Sequence, residues 1–460
     1  MRTKLQSWMA LGAVLSVGVA CGDDSVTGGG GSGGGGGVGG GGVTTWPSHE
    51  VLELELDLTT DDSFGCLAPG VAIRWGWIAD LTVADAGVSG WLAPSEFAAD
   101  SQSIRQAFQS SGVTGTVDGP ALTLASSGVY LSPWDEVEID ALSLERAADG
   151  SVTGSIAGGW TLFGGDSYCE VPFTASITGS ADVRAPSVWL AREGLSPLLP
   201  FEPLELVATE AVVADSVVAD VEIANQAAPS ALSPIADTGR DGFARGLALS
   251  GSPAWPAGAA LAIRLTGLED AAGNDTMLEL GPVALAVAPP SQTNPSFESA
   301  FAGWLTDPLQ PTQPGVIGSV FVADHYEVID DMGVSSDVLP ADGGHMAVLS
   351  SNTRLIGYWA PQSGVTELSL SVGVTDIAVP ELLMNDDGFA VELHSEEGAL
   401  TGSVTPTTAL YPDASSAWSG FATLKLPVSE TLGTWIIVKT TGFAPPVHVP
   451  VVLVDDLRAN

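Results

Sequence analysis

Residues Val51 to Leu58 read VLELELDL, apolar and acidic in strict alternation. Successive side chains of an extended chain point to opposite faces, so a period of two commits this segment to a strand with one buried and one wet face. Similar short runs recur at Val71 to Ile78, Ala121 to Leu124, Val137 to Leu144, Ser151 to Ile156, Gly159 to Phe163 and Phe173 to Ile177. Asp149-Gly150, Gly164-Gly165-Asp166 and comparable turn signals part them. Together they predict an antiparallel β meander or barrel over residues 46–182. One helix is predicted inside it, Ser95 to Ser111, with Ser95 as N-cap and Phe97, Ile104 and Phe108 on one face.

The same grammar of short strands and turns continues to the C-terminus, which makes the chain all-β. At 460 residues it is too long for one ordinary core, and about 150 residues per domain gives roughly three modules. Asp and Glu number 55 against 14 Lys and Arg, a formal net charge of -41. That charge repels phosphate backbones and excludes nucleic acid as a partner, while it attracts cations. Hydrophobic residues make up 45%, so the acidity belongs to a folded protein and not to a disordered tail.

Residues 1–20 have a basic start (Arg2, Lys4) and an apolar run from Trp8 to Ala20, too short to span a bilayer, which is the layout of a signal peptide. The run ends Gly18-Val19-Ala20-Cys21, which resembles the lipobox of bacterial lipoproteins. The resemblance implies that Cys21 is the lipidation site, carrying diacylglycerol and an N-terminal acyl chain such as palmitate. Two or three buried chains, at about 0.8 kcal/mol per methylene, hold a soluble body on a membrane. From Thr27 to Val43 the chain is almost all glycine, a flexible tether within residues 21–45 with a span on the order of 20 Å. Matches to G-x-S-x-G and G-x-G-x-x-G there follow no strand and open no helix, so they are products of composition. The expected location is the cell envelope, facing the periplasm or the exterior, with inner or outer membrane left open.

Cys66 and Cys169 are the only other thiols, and in an oxidising compartment they are expected to pair. Closing a loop of about 100 residues removes roughly 4 to 5 kcal/mol of unfolded-state entropy. Neither has a neighbouring histidine in sequence, which speaks against a metal or nucleophilic cysteine.

Residues 184–288 read as a second module. Leu204 to Val207, Val217 to Ile223, Gly246 to Leu249 and Ala259 to Leu265 are short apolar or alternating strands, as in a sandwich. Phe201-Glu202-Pro203-Leu204 and the later Leu265 to Asn274 (LTGLEDAAGN) resemble the opening and closing segments of bacterial Ig-like domains, with Met277 to Val287 as the last strand. Asp237 to Gly242 (DTGRDG) resembles half a calcium loop, although Asp and Gly at that density read as a turn.

Residues 292–460 form the third. Asn294 to Glu298 (NPSFE), followed by Gly303-Trp304, resembles the first strand of jelly-roll carbohydrate-binding modules and related bacterial surface domains. Those domains close with an acidic last strand like Val451 to Arg458 (VVLVDDLR). Because jelly rolls bring first and last strands together, the resemblance implies a structural calcium site made by Glu298 with Asp455 or Asp456. The competing reading leaves these carboxylates facing water on edge strands. Flat aromatics for a sugar face would come from Trp304, Tyr326, Trp359, Tyr411 and Trp418, each of which could instead pack the core.

The five histidines, His49, His325, His345, His394 and His448, have no metalloenzyme spacing. Asp330-Asp331 and Asn385 to Gly388 read as solvated turns. A glycoside hydrolase, the remote alternative, would need a cleft holding a desolvated carboxyl. The sequence therefore describes a membrane-anchored surface lipoprotein without catalytic activity, binding a glycan or another cell-surface ligand through its jelly roll. A structural or adhesive spacer is the alternative.

Overall fold

In β1 (His49–Thr60), Leu52, Leu54, Leu56 and Leu58 are buried while Glu55 and Asp57 are exposed, so the alternation in the sequence is the alternation in space. The computed structural model describes residues 45–60, 73–95, 110–126, 129–132, 135–164, 167–190, 197–237, 240–290, 296–307, 320–329, 335–350, 353–375, 389–404, 420–440 and 451–459. All regular structure in them is β.

Strand β1 pairs on one side with β2 (Ile73–Ala84), which leads through β3 (Gly87–Ser95) and β4 (Ser111–Asp118) to β5 (Ala121–Ser126). On its other side it pairs with β9 (Ser167–Ala181), then β8 (Val152–Gly164) and β7 (Asp135–Arg146). Pairing of β5 with β7, Leu122 opposite Leu144, closes eight strands into a barrel, and β6 (Val129–Ser132) flanks β7. The inside is filled by apolar side chains, among them Leu54, Trp77, Leu92, Leu124, Ile139, Ile156 and Phe173. Each contributes roughly 1.5–3 kcal/mol by leaving water. The outside carries Thr114, Glu138, Asp140, Glu145, Ser155, Thr174 and Thr178, all exposed. A barrel in lipid needs the opposite arrangement, apolar outward, so this one is built for water.

Two sequence expectations change here. The runs at Ser151 to Ile156 and Gly159 to Phe163 are one strand, β8, because the glycines between them are accommodated within the ladder. The helix expected over Ser95 to Ser111 starts on the last residue of β3 and ends on the first of β4, and residues 96–109 lie outside the described ones.

The middle module is a two-sheet sandwich. One sheet runs β10 (Val188–Leu190), β11 (Leu204–Val213), β15 (Phe243–Gly251), β14 (Ser230–Ala236). The other runs β13 (Gln226–Ala227), β12 (Val218–Ile223), β16 (Ala260–Glu269), β17 (Asp275–Ala284). Leu206, Leu247, Leu249, Leu261, Ile263 and Leu265 lie in the core between them.

The third module has two five-stranded antiparallel sheets. The first runs β18 (Leu305–Asp307), β23 (Arg354–Trp359), β28 (Thr434–Thr440), β25 (Phe389–Ser395), β26 (Leu400–Val404). The second runs β19 (Val320–Ala323), β22 (Met346–Leu349), β29 (Val451–Ala459), β24 (Glu367–Thr375), β27 (Ala422–Pro427), and β20 (Tyr326–Ile329) pairs with β21 (Ser335–Val338) as a separate hairpin. The acidic last strand is therefore central in its sheet, held by β22 and β24, and is not paired with the first strand. The segment around Phe297 and Glu298 is also not a strand: residues 298–303 form turns, with Phe297 and Ala300 at positive φ of 56° and 52°.

Strand directions fix the order of the modules. β11, β15 and β17 each run between the two ends of the middle sandwich. Val213, Arg240 and Asp270 lie at one end, and Phe201, Trp255 and Ala286 at the other. The barrel meets the first end and the jelly roll the second. Ten residues of β11 at about 3.3 Å each put roughly 30 Å between the two contacts.

Candidate functional site

The aromatics expected to meet a sugar are largely spent on packing. Trp304 is 8% exposed and Trp359 1% exposed, both in the core between the jelly-roll sheets. Trp304 lies 5.3 Å from Phe297 and covers Gly357, where a Cβ would come within 2.5 Å of its ring. These two cannot offer a face to a ligand, because a sandwich needs large rings to fill the gap between its sheets. Tyr326 is half-buried at the start of β20, against the small cluster of Val338, Met346, Val348 and Leu453. Tyr411 and Trp418 lie outside the described residues, as do Asp330, Asp331 and Asn385 to Gly388.

A second aromatic surface does exist, on the outer side of β23 and β28, where Tyr358 and Trp435 meet edge to face at 5.5 Å. The middle sandwich covers it. Phe201 stacks on His394 at 4.3 Å and meets Trp435 at 6.1 Å, while Leu199 is fully buried with Ile356, Trp435 and Ile437. Beside them Arg354 bonds Asp307 (Nε to Oδ2, 2.7 Å), Glu202 and the Pro197 carbonyl (3.3 Å).

Among the described residues, Glu298, Asp455 and Asp456, expected to hold calcium, do not form a group of three with oxygens within 4.8 Å of one another. Glu298 accepts the amides of Gly344 (2.5 Å) and His345 (3.2 Å) and faces His345 Nδ1 at 3.1 Å. The Gly344 amide first, then His345, hold its pKa below the usual carboxylate value. Asp455, wholly buried, accepts the amides of Asp342 and Asp456, each at 2.8 Å, and burial pushes its pKa up to about 6. Asp456 turns away to Arg458, because a bulge against β24 gives it a left-handed backbone (φ 51°) and reverses the alternation of the strand.

The carboxylates that do converge are at the junction of barrel and sandwich. Oxygens of Asp182, Glu210 and Asp270 all lie within 4.8 Å of one another, and the residues are 6%, 6% and 2% exposed. Asp182 follows β9 directly; its Oδ1 accepts the Arg184 amide at 3.1 Å, while no ordinary donor meets the buried Oδ2, and the side chain's other neighbour is the Glu210 carboxyl. Glu210 sits in β11 where the register against β15 slips between Val207 and Val212, an irregularity that frees its side chain from the ladder. Asp270 opens the turn quoted above as Ig-like: both its oxygens take Asn274, through the backbone N and Nδ2, at 2.9 Å, and Nδ2 also reaches the Asp182 carbonyl at 3.4 Å.

Burial first, then the charges of Asp182 and Asp270, raise the pKa of Glu210 to about 8, against the opposing pull of Arg245. Burial also raises that of Asp182. Around this cluster, Arg240 binds Asp80 of the barrel, and Asp237 accepts the Ser110 amide at 2.9 Å and its hydroxyl. In the segment Asp237 to Gly242 the Arg240 amide bonds the Asp237 carbonyl and Asp241 and Gly242 form a turn, residues 238–239 lying outside the described ones, and the Asp237 carboxylate serves the junction. A cavity of about 200 Å³, lined by Glu53, Ile78, Asp182, Arg184, Thr209 and Glu210, opens onto the cluster. The sequence signal for these carboxylates was Glu210, one of two glutamates in an otherwise apolar strand, LELVATEAVV, but nothing local pointed to its two partners.

Cys66 lies outside the described residues; Cys169 stands in β9 opposite Leu162. Cys21 and residues 1–44 likewise lie outside them. Among the described residues no helix is long and apolar enough to cross a membrane.

No protein-family model and no curated protein matches the chain. Among solved structures, the enzymatically active domain of bacteriophage CBA120 tailspike protein 4 is 11% identical with a TM-score of 0.23, over 39% of this chain and 22% of that one. A family 51 carbohydrate-binding module from Clostridium perfringens, solved with methyl-galactose, is 10% identical with a TM-score of 0.16, over 31% of this chain and 81% of that one. A carbohydrate-binding module of promiscuous specificity from the β-sandwich superfamily is 11% identical with a TM-score of 0.21, over 61% and 99%. Likeness at this level identifies neither a family nor an activity.

Proposed function

We propose that this chain is a cell-envelope display protein: a lipid on Cys21, a glycine tether, and three β modules in line that carry the jelly roll away from the membrane. One observation carries the reading. The barrel and the jelly roll dock on opposite ends of the middle sandwich, each through buried charged or apolar contacts, so the modules form a stiff column. The strand order of the middle module, with β10-β11-β15-β14 facing β13-β12-β16-β17, supports its Ig-like reading, since it follows the A-B-E-D and C-F-G sheets of that fold with one added strand. Small-angle scattering on the purified chain tests the column. A single globule of this size has a radius of gyration of about 22 Å, whereas three modules in line give about 33 Å. A value near the smaller figure rules out the column. Anchorage is tested separately: a Cys21→Ser variant should leave the membrane fraction, and its retention there would refute lipidation.

A second reading, glycan binding by the jelly roll, keeps Tyr326, the one expected platform that stays partly exposed among the described residues. A glycan array probed with the purified chain, with calcium and again with chelator, tests it. Saturable binding lost in Tyr326→Ala supports sugar recognition, and no binding under either condition removes it for that panel.

A further inference from the structure

The geometry points to a divalent cation site, calcium by its chemistry, held by Asp182, Glu210 and Asp270 at the junction of barrel and sandwich. Three carboxylates with oxygens within 4.8 Å of one another are donors that a hard cation takes, and no sulfur or imidazole is among them. Each comes from a different element: the linker after the barrel, the bulge of β11, and the turn before β17. An ion there would tie two modules together.

Two observations separate this cluster from an ordinary acidic patch. Asp182 is nine-tenths buried and lines the cavity that also reaches Glu210; no donor of an ordinary kind meets its Oδ2, and its side-chain neighbour is another acid, the Glu210 carboxyl. A buried carboxylate oxygen left bare costs several kcal/mol unless something positive meets it. Charge around the junction is also out of balance. Asp80, Asp182, Glu210, Asp237 and Asp270 face Arg240, which bonds Asp80 and also acts on Asp237 and Glu210, and Arg245, which acts on Asp237 and Glu210; Arg184 lines the same cavity but binds Glu53, and His49 shares Asp80. A divalent ion supplies the missing charge at the spot where the oxygens converge. The alternative occupant is a proton shared between Asp182 and Glu210, which needs no ion.

The test is titration of the full chain, stripped with chelator, by calorimetry and thermal unfolding, using calcium chloride with magnesium chloride as the control. Extracellular calcium modules bind at about 0.1–1 mM, so a calorimetric isotherm with a calcium-specific site in that range or tighter is expected. At a hundredfold excess over Kd, the melting temperature should rise by about 5 °C or more. The isosteric Asp182→Asn and Glu210→Gln variants should weaken that site at least tenfold. Their calcium-free melting temperatures should stay close to the parent's, since each keeps the shape of its side chain and neither adds a charge, and this shows that they still fold. A calcium response that persists in the double variant places the ion elsewhere and overturns the proposal. So does the absence of any calcium-specific site up to 10 mM, which assigns the cluster to the shared proton.

Discussion

Replacing Arg354 with methionine should loosen the jelly roll from the middle sandwich. The guanidinium is 12% exposed and answers two carboxylates, Asp307 directly across the β18–β23 pair and Glu202 from the neighbouring module, with a third bond to the Pro197 carbonyl. Methionine keeps most of the apolar stem but leaves both acids, 15% and 21% exposed, without a cation. Removing one partner of a buried pair costs about 3–5 kcal/mol, and the partial solvent access of Glu202 places the expected loss near about 3 kcal/mol. For modules of this size that is a fall of roughly 6–12 °C in the melting transition. Differential scanning calorimetry of the full chain measures it. The triple variant Arg354→Met, Glu202→Gln, Asp307→Asn should regain at least half of the loss, because the stranded charges are gone. A fall below about 1 kcal/mol, or a triple variant no better than the single one, would refute the reasoning and assign the contact to packing of the arginine stem.

Three further outcomes follow from other parts of the molecule. Gly357→Ala should cost about 1–3 kcal/mol in urea unfolding, because a Cβ there meets the Trp304 ring at 2.5 Å; a neutral change would mean that Trp304 is free to shift. Asp455, with its pKa raised to about 6, stabilises the fold fully below its unfolded value near 3.8, and that contribution disappears as pH rises through 6. The jelly-roll transition should thus lose up to about 3 kcal/mol between pH 4 and 7, and Asp455→Asn should flatten this slope; an unchanged slope sinks the assignment. Non-reducing mass analysis of the exported chain should find Cys66 joined to Cys169. β1 pairs β9 as far as Thr60 opposite Phe173, so Thr60, six positions before Cys66 in sequence, stands at the end of the barrel towards Cys169. Two free thiols would refute that pairing.

What was legible in the sequence follows the range of the forces involved. The alternation in Val51 to Leu58 is a local signal, and the barrel uses it residue for residue. The ring closure between β5 and β7 is not local, which is why meander and barrel were equally readable. Trp304 and Trp359 look the same in sequence whether they face a ligand or a core, and only the opposing sheet decides. The acidic end strand was read correctly as a strand, but its neighbours were not. A one-residue bulge after Asp455 then turned Asp456 towards Arg458 and put Leu457 on the core face of Val452 and Val454, a reversal of faces that period-two reasoning cannot foresee.

One signal was present and went unread. In a chain with 55 acidic residues and 14 basic ones, an arginine or lysine has a surplus of partners, so where it stands reports what the fold needs there. Arg146 joins Glu50 beside the closing strand of the barrel, and Arg184 binds Glu53 where the chain leaves it. Arg240 and Arg245 serve the first junction and Arg354 the second, while Arg458 ties the end of β29 to Asp342. Arg264, Lys425 and Lys439 bind across neighbouring strands, to Glu279, Glu367 and Glu392. The seams between and within modules are where like charges would be driven closest together, and the scarce cations concentrate there. At the first junction three arginines, Arg184, Arg240 and Arg245, still leave Asp182, Glu210 and Asp270 with their oxygens within 4.8 Å of one another, and that convergence is what an inorganic cation would complement.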